Sequence, residues 1–239
     1  MDGALRLLRE GEVAVDGRMP WSSNATFLVS IEQPGVGDAP GDAIRAKGIY
    51  KPVRGERPLW DFPSGLHRRE VAAWVLSEYL GWRLVPPTVV RDGPFGEGSI
   101  QLFVAADFEQ HYFTLYEGRP DLHDRLRAMC AFDLLANNTD RKSGHCLLGL
   151  DGHVWGIDHG LCFAEDFKLR TVIWEFGGER VPEALLGDVA RLADCVPLEL
   201  AALLDDDEVM ALQRRASNLV DRGVFPIDTT GHRYPWPLV

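Results

Sequence analysis

The stretch Asn137-Asn138-Thr139-Asp140-Arg141-Lys142-Ser143-Gly144-His145, followed by Gly156-Ile157-Asp158-His159-Gly160-Leu161, carries the densest chemistry in the 239-residue chain. The first segment follows a run in which Leu122, Leu126, Met129, Ala131 and Leu135 recur at helical spacing. It reads as the loop that closes a long helix and places Asp140, Lys142 and His145 on one connection. Between the two segments lie short apolar runs, residues 146–150 and 154–157, separated by Asp151-Gly152. Asp-Gly between strand-like runs signals a hairpin, because both residues tolerate the positive φ of a tight turn. The hairpin folds Asp158 back beside the loop. Two carboxylates next to basic groups suit metal–phosphate chemistry: one orients or deprotonates a hydroxyl, the other holds a divalent cation that bridges phosphates. Asp, Asn and Gly also satisfy an ordinary turn. The second Asp, returned by the hairpin, is what favours the chemical reading.

Outward from this pair the pattern differs on the two sides. Downstream, residues 183–195, 198–204 and 208–222 read as helices by period and propensity, and the Pro-bearing 233–239 as an irregular strap. Upstream, residues 4–9 read as a short helix. Residues 12–15, 25–32 and 43–50 read as strands, with Phe27, Val29 and Ile31 alternating. Residues 35–41 form a Pro/Gly loop. Residues 64–80 read as a helix stopped by Gly81, and 88–91 and 99–105 as strands joined through the turn-rich 93–98. The fold class is therefore α+β: a strand-rich first lobe with one main helix, about 1–105, and a mostly helical second lobe with the hairpin, about 106–239.

Net charge is −11, with 46% hydrophobic and 26% charged residues. That balance argues against nucleic acid as a general partner, since phosphate backbones attract basic surfaces. No apolar run approaches the roughly 20 residues of a membrane span, and the start, Met1-Asp2-Gly3-Ala4-Leu5-Arg6, lacks a signal-peptide core. Cys130, Cys146, Cys162 and Cys195 form no CxxC pair and read as small buried side chains. The expectation is a reduced cytoplasmic protein without a transmembrane segment. A basic region over residues 45–70 could meet an anionic head group through Arg68 and Arg69, which would make the protein peripheral at a membrane. The acidic run Asp205-Asp206-Asp207-Glu208 reads as a solvated helix start.

Asn138-Thr139-Asp140-Arg141 together with Ile157-Asp158-His159-Gly160-Leu161 resembles the catalytic and metal-binding loops of phosphatidylinositol 3-/4-kinases, particularly the type II 4-kinase branch of this kinase-like superfamily. It is more distantly similar to atypical protein kinases with an Asp-Arg catalytic loop. The resemblance implies a two-lobed kinase-like fold, with residues 1–239 forming one catalytic domain. It implies ATP with Mg²⁺ or Mn²⁺, and transfer of the γ-phosphate to a hydroxyl of an inositol lipid, a polyol or a protein. On this reading Asp140 is the catalytic-loop Asp, Lys142 neutralises the transferred phosphoryl group, and Asp158 binds metal.

Gly48-Ile49-Tyr50-Lys51-Pro52 resembles the strand that brings a nucleotide-binding Lys, with Glu70 on the next helix fixing its ammonium. Lys47 competes with Lys51, because both have the same strand parity. Residues 21–24 occupy the place of the phosphate-covering loop without its Gly-rich signature, so Ser22, Ser23 and Asn24 are candidates. Residues 101–104 occupy the place of the adenine-binding hinge, where Phe103 and Val104 would act through their backbone.

His145 departs from the kinase pattern, which has Asn there. An amide oxygen suits Mg²⁺, whereas imidazole suits softer metals. His145 then ligates a metal such as Mn²⁺, or contacts phosphate, or marks a nucleotide-binding regulatory pseudokinase. Transfer of AMP instead of phosphate is a further alternative. A hydrolase-like metal centre built from His145, His153, His159 and Asp158 lacks the diagnostic helical spacing, and His153 reads more simply as a turn residue.

Overall fold

Strands concentrate before residue 105 and helices after it in the computed structural model, but residues 72–85, expected with the first lobe, group with the second unit. The structure describes residues 2–20, 24–33 and 44–238. The chain forms two units, Met1–Val71 with Pro86–Val104, and Ala72–Val85 with Ala105–Val239.

In the first unit, α1 (Asp2–Glu10) precedes β1 (Glu12–Arg18), β2 (Phe27–Gln33) and β3 (Ile44–Pro52). After α2 (Leu66–Tyr79) come β4 (Thr88–Gly93) and β5 (Gly96–Leu102). The five strands form an antiparallel sheet in the order β1-β2-β3-β5-β4. Period-two alternation puts Val29, Ile31, Tyr50 and Ile100 in one buried cluster, which Leu7 and Leu8 of α1 complete. The neighbouring position on β3, Lys51, therefore points to the other face. A side chain at Gly98 would meet the Lys51 carbonyl at 2.4 Å, so glycine there lets β5 lie close to the end of β3. The β4–β5 turn is tighter than the sequence suggested: Gly93 pairs with Gly96, which leaves only Pro94 and Phe95 between the strands.

The second unit holds β6 (Ala106–Asp107), α3 (Tyr112–Gly118), α4 (His123–Ala136), β7 (Cys146–Gly149) and β8 (Val154–Gly156), then α5 (Glu183–Asp194), α6 (Leu198–Ala201) and α7 (Asp206–Arg222). The expected hairpin is present as β7 and β8, and β6 adds a third strand at its edge. α4 is buried almost all round, through Leu126, Met129, Phe132 and Leu135 and also Ala128 and Ala131, as befits a helix at the centre of a helical core. α5 packs on α7.

Two details differ from expectation. The acidic run is only partly solvated: Asp205 caps α7, and Glu208, which is buried, accepts from the Asp205 amide at 3.1 Å. Three cysteines are buried, but Cys195 is exposed. Among the described residues no helix is long and apolar enough to cross a membrane.

Candidate active site

The site in the second unit starts from a charge inside the core. Asp133 interrupts the apolar run of α4 and is fully buried with Arg141. Arg141 Nε lies 3.1 Å from each Asp133 oxygen and Nη2 lies 2.9 Å from Oδ1, a forked pair. The remaining guanidinium protons go to the carbonyls of His145 (3.2 Å) and Ile157 (3.1 Å) and to His159 Nε2 (2.7 Å). A guanidinium only donates, so His159 accepts and carries its proton on Nδ1. Burial alone would lower the Arg141 pKa, but the Asp133 charge outweighs it and raises it above the ordinary value. Thr171 Oγ1 and Asn138 Nδ2 each donate to Asp133 at 3.0 Å. One buried ion cluster thus ties α4, the loop and the hairpin together. Neither Asp133 nor this role of Arg141 was a candidate from sequence. The available signal was a lone Asp inside Met129-Cys130-Ala131-Phe132-Asp133-Leu134-Leu135, since a charge in an apolar stripe needs a buried partner.

The chain leaves α4 through Asn137 in the left-handed region at φ 50°. Its amide donates to the Ala164 and Asp166 carbonyls and its oxygen accepts from the Lys168 amide. Burial then alternates along the loop: Thr139, Arg141 and Ser143 are buried, while Asp140, Lys142 and Gly144 are partly open. The alternation sends scaffold side chains inward and the candidate groups outward.

Asp140 Oδ2 lies 3.1 Å from Lys142 Nζ. Burial raises the Asp140 pKa and the Asp158 charge adds to this, against the opposing pull of Lys142 and His145. His145 Nδ1 lies 2.9 Å from the Asp140 carbonyl, which only accepts, and 3.4 Å from the Lys142 amide, which only donates; the shorter contact puts the proton on Nδ1. Nε2 then presents a lone pair 3.5 Å from Asp158 Oδ2. Burial lowers the His145 pKa, although the Asp158 charge opposes it. Asp158 is half exposed and sits at φ 61°, a conformation few residues other than Gly, Asn and Asp adopt. Asp140, Lys142, His145 and Asp158 are therefore brought together. His153 is held on the Arg83 carbonyl at 2.7 Å and His159 on Arg141. Among the described residues no group of three or more His, Cys, Asp or Glu converges as a metal cage, so the hydrolase-like centre does not form.

In the first unit, Lys51 forms an ion pair with Glu70, which is buried. Lys47, despite its equal parity, pairs with Asp16 at 2.8 Å and Ser30 at 2.7 Å on the exposed face of the sheet. Glu56 accepts from the Gly65 and His67 amides at 3.0 and 2.9 Å, which caps the start of α2. Ser22 and Ser23 lie outside the described residues. Asn24 accepts from the Arg57 amide at 3.0 Å and anchors the following loop. Phe103, the first residue after β5, is partly buried and its amide donates to the Lys47 carbonyl at 3.0 Å, so that donor is committed to the sheet; Val104 comes next and is also partly buried. Arg68 is exposed but Arg69 is buried, with its guanidinium 5.3 Å from the Phe62 ring centre. Arg69 thus does not present a charge to a head group.

Protein Rv2133c of Mycobacterium tuberculosis is 42% identical over 270 residues, covering 97% of this chain and 94% of the relative. The structure of hydra Fam20 with sugar superposes with a TM-score of 0.56 at 14% identity, covering 92% of this chain and 87% of that one. The Helicobacter pylori proinflammatory kinase CtkA gives 0.53 at 10% identity, covering 91% and 94%. These structures share the two-lobed, α+β kinase-like fold. The profile of the phosphatidylinositol 3- and 4-kinase family matches residues 88–220, and the chain belongs to that family.

Proposed function

We propose that residues 1–239 form a single catalytic domain that moves the γ-phosphate of ATP to a hydroxyl of an inositol lipid, a polyol or a protein. The observation that carries this reading is the outward cluster of Asp140, Lys142, His145 and Asp158 on a rigid buried ion scaffold. Asp140 is the group that accepts or orients the hydroxyl proton. Its raised pKa makes it a better base than a solvated carboxylate, and Lys142 holds its orientation. Lys142 also places positive charge where a transferred phosphoryl group develops negative charge. Lys51, fixed by Glu70, sets an ammonium against the nucleotide phosphates, and residues 22–24, the Phe103 carbonyl and the Val104 backbone complete the nucleotide contacts.

The donor set fits a divalent cation. With Nδ1 protonated, His145 Nε2 and Asp158 Oδ2 face each other as two acceptors, and a cation resolves that repulsion. One carboxylate and one imidazole would leave the remaining coordination to phosphate oxygens and water, and the imidazole favours Mn²⁺ over Mg²⁺. Bound there, the cation supplies charge neutralisation of the phosphates.

Purified protein with γ-labelled ATP, Mg²⁺ or Mn²⁺ and a panel of hydroxyl acceptors tests the assignment. Asp140→Ala should lower transfer at least about 100-fold, and Asp158→Asn should abolish metal-dependent nucleotide binding. Transfer that survives Asp140→Ala overturns the catalytic role. A second reading, a nucleotide-binding module without turnover, is favoured by His145 in the Asn position; it predicts binding with no transfer from either α- or γ-labelled ATP. Label moving only from the α-position would identify AMP transfer.

A further inference from the structure

A cavity of about 730 Å³ in the second unit lies apart from the Asp140 cluster, with α7 and residues 165–167 and 224–233 among its walls. Four arginines line it, Arg214, Arg215, Arg222 and Arg233, in a chain whose net charge is −11. Arg215 is the informative one. Its Nε donates to the Leu135 carbonyl at 2.7 Å and Nη1 to the Ala164 carbonyl at 3.2 Å, so both acceptors are neutral. Its Nη2 is buried and has no acceptor among the described residues. Burial lowers the Arg215 pKa to about 10, and neighbouring Arg214 lowers it further against Cys162 and Glu208, yet the group stays charged at neutral pH. A buried, charged donor left unsatisfied is costly and rare in a native fold.

The other charges do not cancel this demand. Arg233 is committed, stacked 4.8 Å from the Phe167 ring centre and hydrogen-bonded through its amide to Asp228 at 3.1 Å. Asp228 also accepts from Thr230. Glu165 and Asp166 line the cavity as well, but neither is ion-paired to Arg215 among the described residues. Arg214 and Arg222 are exposed on α7. Trp174 and Phe167 supply aromatic surface beside them.

We propose that this cavity binds a phosphate monoester carried on an aromatic or apolar body, with Arg215 and Arg222 holding the phosphate and Trp174 and Phe167 covering the body. Guanidinium forks match phosphate oxygens, and a pocket with an apolar wall and a few convergent charges is the usual form of a small-molecule site.

The test is isothermal titration of the full chain with phenyl phosphate, inorganic phosphate and phenol, alongside sedimentation with phosphatidic acid vesicles. Binding of phenyl phosphate should exceed that of inorganic phosphate and phenol, and should fall at least tenfold in Arg215→Gln and in Arg222→Ser. Vesicle binding lost in the same variants would identify the body as a lipid; its absence, with phenyl phosphate retained, would identify a soluble ligand. If Arg215→Gln fails to fold, as judged by circular dichroism, the exposed Arg222→Ser carries the measurement. Binding that survives both arginine variants but falls with Lys51→Ala or Lys142→Ala overturns the proposal, as does no binding of any phosphate probe.

Discussion

The two units hold their candidate reactive groups by different means. Lys51 and Glu70 sit on a strand and a helix, where the sheet ladder and the helix backbone already fix position, and a single carboxylate, Glu56, tightens the start of the helix. Asp140, Lys142 and His145 sit on a loop, and the loop has no ladder of its own. Its rigidity comes from Arg141 underneath, which donates to the backbone carbonyls of His145 and Ile157 and is itself held by Asp133. Regular structure positions a side chain without extra devices, whereas a reactive loop needs a buried polar scaffold. The scaffold carboxylate of the second unit should therefore matter far more than that of the first.

Asp133→Ala is the largest expected effect. It leaves Arg141 charged and buried without its counter-ion, which costs about 3–5 kcal/mol. Urea unfolding should show that loss, and hydrogen exchange should show it concentrated in residues 137–163. A change below about 1 kcal/mol would mean that the loop is held by its turns alone, and the contrast between the units would collapse.

His145→Asn breaks the comparison at the reactive positions instead. Asn keeps a donor or acceptor of similar reach but replaces the imidazole nitrogen with a hard oxygen. The variant should fold with near-unchanged stability and shift metal preference toward Mg²⁺ by about tenfold. Nucleotide binding in the presence of Mg²⁺ and of Mn²⁺ measures the ratio. An unchanged ratio would remove His145 from the metal position.

Much of this was legible from the sequence because it is periodic. Alternation marked the strands of the sheet, helical spacing marked α2, α4, α5 and α7, and Asp151-Gly152 marked the hairpin that brings Asp158 to the loop. α3 escaped because Tyr112-Phe113-Thr114-Leu115-Tyr116 is short and aromatic, as compatible with a strand as with a helix; its entry is fixed by Thr114, which accepts from the His111 amide at 2.9 Å. β6 has only two residues and exists by pairing with β7. The choice between Lys47 and Lys51 could not come from parity, since both lie on the same face. What separates them is their partners: Lys47 is held by Asp16 and Ser30, Lys51 by Glu70. Arg68 and Arg69 are adjacent cations in the sequence, yet helix rotation exposes one and lays the other against Phe62.

Glu56→Gln is the smallest expected effect and sharpens the contrast from the other side. Burial pushes the Glu56 carboxyl up, but hydrogen bonds from the His67 ring and from the His67, Gly65 and Leu66 amides outweigh it. They hold its pKa at about 2, below the ordinary 4.5. The His67 ring is shared, with Nδ1 3.1 Å from Glu56 and Nε2 3.1 Å from Glu97. A carboxyl lowered in the folded state stabilises fully above its ordinary pKa and loses that contribution as pH falls through the folded value. The variant should thus lose about 1–2 kcal/mol near neutral pH, the usual worth of a helix cap. The gap from the unsubstituted protein should close as pH drops from 4.5 to about 2. Thermal unfolding across that range checks both the size and the sign. A gap that widened on acidification would place the stabilising charge on His67 rather than on Glu56, and α2 would then depend on a cation at its first turn.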